Sequence, residues 1–373
     1  MKKILFGITG LTLGGAERVL VDIANKLCEK YEITIFTIYA EGELEKQLDK
    51  RIKLKSLYNV KYIELSKLKR KIIAPLKVLM LKRYIYNKYV KKDYDVEIAF
   101  LEGPITRILA NKNMKTKKVA WIHNDISQVF GNNKKAILKK WIDEKIYSKY
   151  QELIFVSRDN LNKFNKEYNT SKINKIPKKV IYNYINTDLV QKKAKAKKEI
   201  TFNKEQINFL TIGRLVEQKA FDRLINIHSK LIKNGFIHNI YVIGEGPKRQ
   251  ELEELIKKHK VEKTFHLLGK LENPYPYIKD ANYFCLLSYF EGYGMVLEEA
   301  KILNKPIIIT DTAAREATID YKNSIILENS EKAIYEGLKK IIKNHDNKQK
   351  ENVENIIYDN SERLKEIMEV IGE

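Results

Sequence analysis

The sequence predicts an α/β protein of two doubly wound domains, each a parallel sheet covered by helices on both faces. Its 373 residues are two to three times the commonest domain size, so two domains are expected. Short apolar runs alternate with helical patterns in both halves, which is typical of parallel strands joined by helical crossovers. A lysine-rich stretch without an apolar period, residues 191–204, separates the halves.

Each half has its own strands and helices. In the first half, strands are predicted at 4–8, 33–38, 96–100, 118–122 and 153–156, with a helix at 16–30. In the second half, the predicted strands are 209–212, 240–243, 283–287 and 307–310, and the helices are 221–233, 249–260 and 295–303. The lysines and apolar run at the start mimic a secretory signal, but Glu17 and Arg18 follow within an amphipathic pattern, so a buried strand is the better interpretation.

The predicted domains are residues 1–188 and 189–355, joined through an extended segment at 180–189. The acidic stretch near the C-terminus, residues 356–373, is predicted to be helical and to pack back on the first domain, with packing on the second domain as the alternative. Doubly wound sheets bind ligands beyond the carboxyl ends of their strands. We therefore expect the two domains to face each other across a ligand-binding cleft.

Composition excludes several classes of protein. A hydrophobic content of 44%, with 22 Tyr and 13 Phe, argues against a disordered chain. No apolar run reaches the roughly 18 residues that span a bilayer. The two cysteines, Cys28 and Cys285, are too few for a disulfide framework or a cysteine-rich metal site. We expect a cytoplasmic protein.

The net charge of +22 is concentrated in the first half. Lys and Arg outnumber Asp and Glu by 39 to 19 in residues 1–187, but only by 31 to 29 in residues 188–373. This asymmetry indicates that the first half meets an acidic partner, either phospholipid or nucleic acid. No RRM, KH or zinc-finger pattern supports a nucleic-acid-binding protein.

The densest basic stretch contains no acidic residue. Its apolar side chains fall on two sides of a helix, Leu76, Leu79, Met80, Tyr86 and Val90 on one and Val78, Leu81, Ile85 and Tyr89 on the other. One face is expected to pack on the core and the other to contact an anionic membrane, with a solvated surface helix as the alternative. The basic residues run from Lys67 to Lys92: Lys67, Lys69, Arg70, Lys71, Lys77, Lys82, Arg83, Lys88, Lys91 and Lys92.

Two glycine-containing turns follow predicted strands. Gly14 and Gly15 lie where a helix begins and let an anionic group approach backbone N–H groups and the positive end of the helix dipole, with a plain tight turn as the alternative. In the second half, Gly213 precedes Arg214 and Lys219. A guanidinium and an ammonium at one strand end are able to clamp a diphosphate.

The most specific pattern is the loop and helix of residues 290–300. Gly292 and Gly294 free the backbone, while Glu291 and Glu299 border the start of the helix. Carboxylates in these positions bind sugar hydroxyls while helix N–H groups hold phosphate. Glu298 points elsewhere, so its replacement by glutamine is expected to change little.

The chain resembles the retaining glycosyltransferases of family 4, which have the GT-B fold of two Rossmann-like domains. Glu291 and Glu299 match the Glu-x7-Glu pair that marks this family. The resemblance extends over nearly the whole chain. Its other segments are residues 14–19, Trp121-Ile122-His123-Asn124, Gly213-Arg214-Leu215 with Gln218-Lys219, Gly244-Glu245-Gly246-Pro247, and residues 311–316.

The resemblance implies a role for each site residue. The second domain would hold a nucleotide sugar and the first its acceptor. Glu291 and His123 would contact the donor sugar, Arg214 and Lys219 the diphosphate, and Glu299 the ribose. His123 is alternatively a satisfied histidine at a strand end. The other donor-binding residues would be Gly14, Gly15, Gly213, Leu271, Gly292, Tyr293, Gly294, Met295 and Val296.

Three features depart from the family pattern or compete with it. Ala220 stands where a glycine is usual, and Tyr321-Lys322-Asn323-Ser324 lacks the customary glycine, which bears on loop shape. Asp93-Tyr94-Asp95 looks like the DxD metal site of another glycosyltransferase fold, but it is better interpreted as the lead-in to a strand. We therefore expect neither a metal nor a cofactor besides the co-substrate.

The implied activity is transfer of a hexose or N-acetylhexosamine from a nucleotide-diphosphate sugar to an acceptor hydroxyl. UDP is the expected nucleotide, and the expected acceptor is a surface-polysaccharide or lipid-linked saccharide, such as one on a polyprenyl carrier. The basic stretch would then hold the enzyme at the inner face of the cell membrane. The alternatives are a GT-B-like nucleotide-sugar epimerase or phosphorylase, and a basic nucleic-acid-binding protein.

Overall fold

The computed structural model describes residues 1–60, 74–90, 94–111, 115–124, 134–346, 354, 356 and 358–372. The contacts within the chain divide it into two units. One comprises Met1–Ile185 with Asn360–Glu373, and the other is Asn186–Asp359. Every helix within the described ranges is too short or too polar to cross a membrane.

The first unit is built on a seven-stranded sheet in which all neighbouring strands are parallel, in the order β3-β2-β1-β4-β5-β6-β7. The inner strands are almost completely buried because helices cover both faces. The strands are β1 Lys3–Ile8, β2 Glu32–Tyr39, β3 Lys53–Tyr58, β4 Val96–Ala99, β5 Lys117–Ile122, β6 Glu152–Phe155 and β7 Lys178–Val180. The helices are α1 Gly15–Leu27, α2 Ala74–Ile85, α3 Pro104–Leu109, α4 Lys134–Tyr147, α5 Arg158–Glu167 and α6 Ser171–Asn174.

The second unit contains a six-stranded parallel sheet in the order β10-β9-β8-β11-β12-β13. Its strands are β8 Asn208–Ile212, β9 Asn239–Ile243, β10 Phe265–Gly269, β11 Tyr283–Leu286, β12 Ile307–Thr310 and β13 Ser324–Leu327. Its helices are α7 Thr187–Lys193, α8 Phe221–Lys233, α9 Arg249–His259, α10 Tyr275–Asp280, α11 Met295–Ile302 and α12 Glu331–Asp346. In each sheet the strand order reverses once, between β1 and β4 and between β8 and β11. Loops diverge at such a point and leave a crevice for ligands.

The segment between the units differs from the sequence prediction. Residues 180–189 were expected to be extended, but helix α7 begins at Thr187. The Asn186 side chain accepts a hydrogen bond from the Leu189 backbone N–H at 3.0 Å, and Asp188 lies in the first turn. Both features stabilise a helix N-terminus, so the helix begins inside the segment that was predicted to be extended.

A last helix, α13 Ser361–Ile371, packs on the first unit. The Lys117 ammonium donates to the Val370 carbonyl at 2.8 Å, and Lys179 lies 2.7 Å from the Glu369 carboxylate. Arg363 donates to the Asn183 carbonyl at 2.8 Å. The apolar side of this helix, which includes Ile367, is buried.

Two buried histidines form a hydrogen-bonded chain in the second unit. His238 Nδ1 donates to the Phe236 carbonyl at 2.9 Å, so its Nε2 accepts from His228 Nδ1 at 2.8 Å. His228 Nε2 accepts from the Thr264 hydroxyl at 2.8 Å. Burial lowers the pKa of both imidazoles. A proton added at His238 Nε2 would set two N–H groups against each other, so the folded state keeps this pair neutral.

We expect mild acid to destabilise the protein through this pair. Unfolded histidine titrates near pH 6.5, so below that pH the unfolded chain binds protons that the folded chain excludes. The free energy of unfolding then falls by at most about 1.4 kcal/mol per pH unit for each histidine. Urea unfolding at about pH 7.5 and about pH 5.5 measures the fall, which should be smaller for His238→Asn. An equal fall in both proteins would contradict this assignment.

Candidate active site

The carboxyl ends of β8 and β9 in the second unit are joined backbone to backbone. The Gly213 N–H donates to the Ile243 carbonyl at 3.0 Å. A Cβ at Gly244 would lie 1.9 Å from the Gly213 carbonyl oxygen, and one at Gly246 would lie 2.4 Å from the Leu215 oxygen. No side chain fits in either place, so these glycines fix the loop that carries the predicted cations.

Lys219 and Glu291 form an ion pair at the point where the strand order reverses. Lys219 follows β8 and Glu291 follows β11, and the two side chains are only 16% and 11% exposed. The Ser288 hydroxyl also donates to the Glu291 carboxylate at 3.3 Å. Gly213 leaves room for the lysine, because a Cβ there would lie 3.1 Å from its Cε. An ammonium has three N–H donors, so the lysine retains others for an anionic ligand.

Arg214 lies beside this pair in sequence but is exposed. Its guanidinium has no hydrogen-bond or ion-pair partner among the residues that the structure describes. A guanidinium presents five N–H donors in a planar fork that matches phosphate oxygens. Arg214 is therefore available to an anion, whereas Lys219 is held in place by a carboxylate.

Glu299 lies on α11 and accepts a hydrogen bond from the Tyr275 hydroxyl at 3.1 Å. The helix begins after Gly294, which has a φ of +73° that disfavours any side chain. Leu271 follows the end of β10 and precedes Tyr275 by four residues. The first residue of α10 thus holds the Glu299 carboxylate, a predicted donor-binding group.

Arg223, which the sequence reasoning missed, supports the loop after β11. This buried side chain on α8 donates to the Leu287 carbonyl at 2.7 Å and to the Asn329 side chain at 2.9 Å. Asn329 in turn donates to the Tyr289 carbonyl at 2.7 Å. Burial lowers the pKa of the guanidinium. The signal available in the sequence was an arginine among the apolar positions of an amphipathic helix.

In the first unit, Gly14 and Gly15 form the start of α1, as the sequence predicts. The carboxylate of Glu17 folds back over this helix terminus. A Cβ built on Gly14 would lie only 2.1 Å from Oε2 of Glu17. Burial raises the pKa of Glu17. An anionic ligand at this terminus would therefore meet a carboxylate of the chain itself.

His123 follows β5 and packs against Phe100, with ring centroids 4.7 Å apart. Burial lowers the pKa of His123 to about 3, so the ring is neutral at physiological pH. Its Nε2 has no hydrogen-bond partner within the described part of the chain. A neutral imidazole with an unused ring nitrogen is able to bind a sugar hydroxyl.

Glu102, which follows β4, fixes the backbone at His123 and was not predicted from sequence. Its Oε1 accepts the backbone N–H groups of His123 at 2.5 Å and Asn124 at 2.7 Å, and its Oε2 accepts from the Asn124 side chain at 2.8 Å. Burial raises the pKa of Glu102. An acidic residue directly after a buried apolar run was the available signal.

The structure changes the prediction for the basic stretch from Lys67 to Lys92, of which residues 67–73, 91 and 92 lie outside the described ranges. Tyr86–Val90 form a π-helical turn, in which side chains do not follow the 100° spacing of an α-helix. The division into two faces was therefore wrong. Val78, Ile85, Tyr86 and Val90 are buried together, while Met80, Leu81 and Tyr84 are exposed.

The Asp93-Tyr94-Asp95 triplet is described only in part, since Asp93 lies outside the described residues. The Asp95 carboxylate accepts the Lys3 backbone N–H at 2.8 Å, beside the first residue of β4. Across the described ranges, no three His, Cys, Asp or Glu side chains lie close enough together to hold a metal ion.

Two family models cover most of the chain. The Glycosyltransferase Family 4 model matches residues 13–189, and the Glycosyl transferases group 1 model matches residues 192–359. The chain belongs to glycosyltransferase family 4. Each half of the chain is therefore matched by a glycosyltransferase model.

Two enzymes of Campylobacter jejuni are among the relatives of this glycosyltransferase. One is the N-acetylgalactosamine-N,N'-diacetylbacillosaminyl-diphospho-undecaprenol 4-alpha-N-acetylgalactosaminyltransferase, 27% identical over 92% of this chain and 90% of that protein. The other is a GalNAc-alpha-(1->4)-GalNAc-alpha-(1->3)-diNAcBac-PP-undecaprenol alpha-1,4-N-acetyl-D-galactosaminyltransferase, 29% identical over 80% of this chain and 77% of that protein.

Solved structures show the same fold. HepE of Anabaena, in complex with UDP and glucose, superposes with a TM-score of 0.73 at 17% identity, covering 100% of this chain and 99% of that one. TarM of S. aureus superposes with a TM-score of 0.73 at 16% identity, over 100% and 99% of the two chains. The fold of the glycosyltransferase is therefore GT-B.

Ala220, the departure from the family's glycine, adopts a left-handed conformation with φ +53°. This conformation costs a residue with a Cβ about 1 kcal/mol, so Ala220→Gly should raise the melting temperature by about 2–4 °C. Ala333→Gly, in the helix α12, should lower it because glycine is unfavourable in a helix interior. Differential scanning calorimetry measures both. A melting temperature that falls for Ala220→Gly would show that the alanine is not strained.

Proposed function

We propose that this glycosyltransferase transfers a hexose or N-acetylhexosamine from a UDP-linked sugar to a hydroxyl of a lipid-linked saccharide, with retention of configuration. The observation that carries the proposal is the Lys219–Glu291 ion pair, together with the exposed guanidinium of Arg214 on the same segment between β8 and α8. The names of the two C. jejuni relatives, which include diphospho-undecaprenol or PP-undecaprenol, support a lipid-linked acceptor. The UDP and glucose in the HepE complex support the donor class.

The chemical difficulty is the separation of charge. As the bond between the anomeric carbon and the phosphate oxygen breaks, its electron pair moves to the diphosphate, and positive charge grows on the sugar. Arg214 and Lys219 stabilise the diphosphate, which is electrostatic preorganisation. Glu291 holds the lysine and accepts a sugar hydroxyl, while Glu299 with Tyr275 binds the ribose.

In this proposal the acceptor attacks the face that the diphosphate leaves, so the anomeric configuration is kept. The proton of the acceptor hydroxyl passes to the departing phosphate oxygen, and no side chain needs to act as a nucleophile. His123, held neutral by burial, binds a hydroxyl of the donor sugar through Nε2. The two cations perform the work of a divalent metal, so we propose that none is required.

Three measurements test this proposal. A thermal-shift screen against a panel of nucleotide sugars should select a UDP sugar, since a donor at 100 times its Kd stabilises the folded state by about 2.7 kcal/mol. NMR of the product should show the anomeric configuration of the donor, and turnover should persist in EDTA. A product of inverted configuration, or a loss of activity in EDTA that Mg²⁺ restores, would each remove part of the proposal.

We also propose that the first unit binds peripherally to the anionic inner face of the cell membrane. Met80 and Tyr84 are 73% and 57% exposed on α2, next to the exposed cations Arg83 and Lys88. Trp141 on α4 is also exposed, with the Lys145 ammonium 3.2 Å from its ring centroid. Exposed apolar and aromatic side chains interleaved with cations are typical of interfacial helices.

Vesicle co-sedimentation tests the membrane proposal. Arg83→Glu with Lys88→Glu should weaken binding to anionic vesicles at least tenfold, because each cation near such a surface contributes on the order of 1 kcal/mol. The matched control is Lys257→Glu with Lys258→Glu, which reverses two exposed charges on α9 of the other unit. Binding that ignores lipid charge and salt, or that falls equally in both variants, would refute this surface.

A further inference from the structure

Glu298 is a fully buried carboxylate within the second unit, immediately before the ribose-binding Glu299. Its Oε1 accepts a hydrogen bond from the Tyr293 hydroxyl. Its Oε2 accepts from the Tyr358 hydroxyl at 2.5 Å and lies 3.1 Å from the Lys301 ammonium. A buried carboxylate is costly unless its oxygens are hydrogen-bonded and its charge is paired, and here both conditions are met.

The first partner, Tyr293, belongs to the loop whose backbone is proposed to line the donor sugar and phosphate. Gly292 and Gly294 flank it, and Gly294 has a φ of +73°. Glycines on both sides give the backbone more freedom than any other residue would. The side chain of Tyr293, which is buried, therefore carries much of the restraint on this loop.

The other two partners hold the carboxylate itself. The Lys301 ammonium donates to the Ala317 carbonyl at 2.8 Å, at the end of the short turn after β12. Tyr358 is followed within two residues by Asn360, which already belongs to the other unit. The second oxygen of the carboxylate is thus held by Lys301 and Tyr358, two side chains that have no proposed contact with the donor.

We propose that Glu298 is a positioning residue for donor binding, which fixes the loop of residues 292–294 by accepting the Tyr293 hydroxyl. This inference rests on the proposed function of the adjacent site. It replaces the sequence-based expectation that Glu298 is a silent neighbour of Glu299. That expectation considered only the direction of the side chain and not the residues that it contacts.

Two matched Tyr→Phe variants separate positioning from simple stabilisation. Each removes one hydroxyl from the same carboxylate, but only Tyr293 is in the donor loop. Tyr293→Phe should raise the KM for the nucleotide sugar roughly tenfold, the effect of losing a hydrogen bond to a charged group, with the acceptor KM unchanged. Tyr358→Phe should change the donor KM less than about twofold. Both variants should lower the melting temperature by about the same amount, because each removes one hydrogen bond to the same carboxylate.

Glu298→Gln and Glu298→Leu extend the comparison. Glutamine keeps one oxygen for the Tyr293 hydroxyl and should raise the donor KM less than leucine does, which keeps none. If Tyr293→Phe and Tyr358→Phe raise the donor KM equally, or if neither raises it, Glu298 only stabilises the fold and the inference is wrong.

Hydrogen exchange gives a readout that does not depend on activity. The amides of residues 291–297 should exchange faster in Tyr293→Phe and Glu298→Leu than in the parent protein, and at the parental rate in Tyr358→Phe. Unchanged exchange in Tyr293→Phe overturns the positioning role. Faster exchange in a protein that binds no nucleotide sugar would support the positioning of the loop while refuting the proposed function.

Discussion

Lys219→Ala should lower kcat/KM by roughly 10²–10³ with little change in the acceptor KM. The ammonium is proposed to face the diphosphate as its charge grows, and Glu291 together with the missing Cβ of Gly213 holds it in place. Removing the lysine also leaves the poorly exposed Glu291 carboxylate without its cation, which opposes the binding of an anion. Steady-state kinetics with saturating acceptor measures the loss.

A double-mutant cycle apportions this effect. If Lys219 and Glu291 act as a unit, Lys219→Ala combined with Glu291→Gln should cost less than the sum of the two single changes. Lys257→Ala, which removes an exposed lysine from α9, is the matched control and should be neutral. Arg214→Ala should lower kcat/KM by an amount in the same range as Lys219→Ala. Full activity in Lys219→Ala would mean that the diphosphate binds elsewhere.

Glu102→Ala should lower kcat/KM by about 10²-fold. The carboxylate accepts three N–H groups from His123 and Asn124, and without it these donors lose their partners and the turn after β5 shifts. A shift of about 1 Å in a substrate-contacting group is enough for a loss of this size. Initial rates over a range of donor and acceptor concentrations separate the effect on kcat from the effects on the two KM values.

The conservative variant distinguishes positioning from charge. Glu102→Gln keeps an oxygen that accepts both backbone N–H groups, so its loss should stay below about tenfold. Glu43→Ala, an exposed glutamate in the same unit, should leave the kinetics unchanged. If Glu102→Gln loses as much kcat/KM as Glu102→Ala, the negative charge of Glu102 matters more than its hydrogen bonds.

The sequence was sufficient to identify every inner strand of both sheets, because each is buried on two faces and therefore reads as a continuous apolar run. The four strands that it missed are β3, β7, β10 and β13. These are the outermost strands of the two sheets. Edge strands are covered less completely, and runs such as Lys53–Tyr58 carry lysine and serine, so periodicity alone does not separate them from loops.

The residues of the candidate site also divide into those that the sequence predicted and those that it missed. Lys219, Glu291 and Glu299 could be proposed from the sequence because each belongs to a local motif at a strand end or a helix start. Glu102 and Arg223 could not, because their partners lie 21 and 64 residues away in the sequence. Glu298 was noticed but given no role, since the sequence shows neither its contact with the Tyr293 hydroxyl nor its contact with Tyr358, 60 residues further on. Side chains that hold a loop in place carry only a weak local signature, because the groups they contact are distant in sequence.

The path of the chain makes the second unit an insertion within the first. The Asn360 side chain donates to the Ile185 carbonyl at 2.7 Å, so the points where the chain departs from and returns to the first unit are neighbours. A short peptide bridge between those two residues would reconnect the first unit and excise the second. A truncation after Ile185, by contrast, would discard the helix α13 and uncover the apolar surface beneath it.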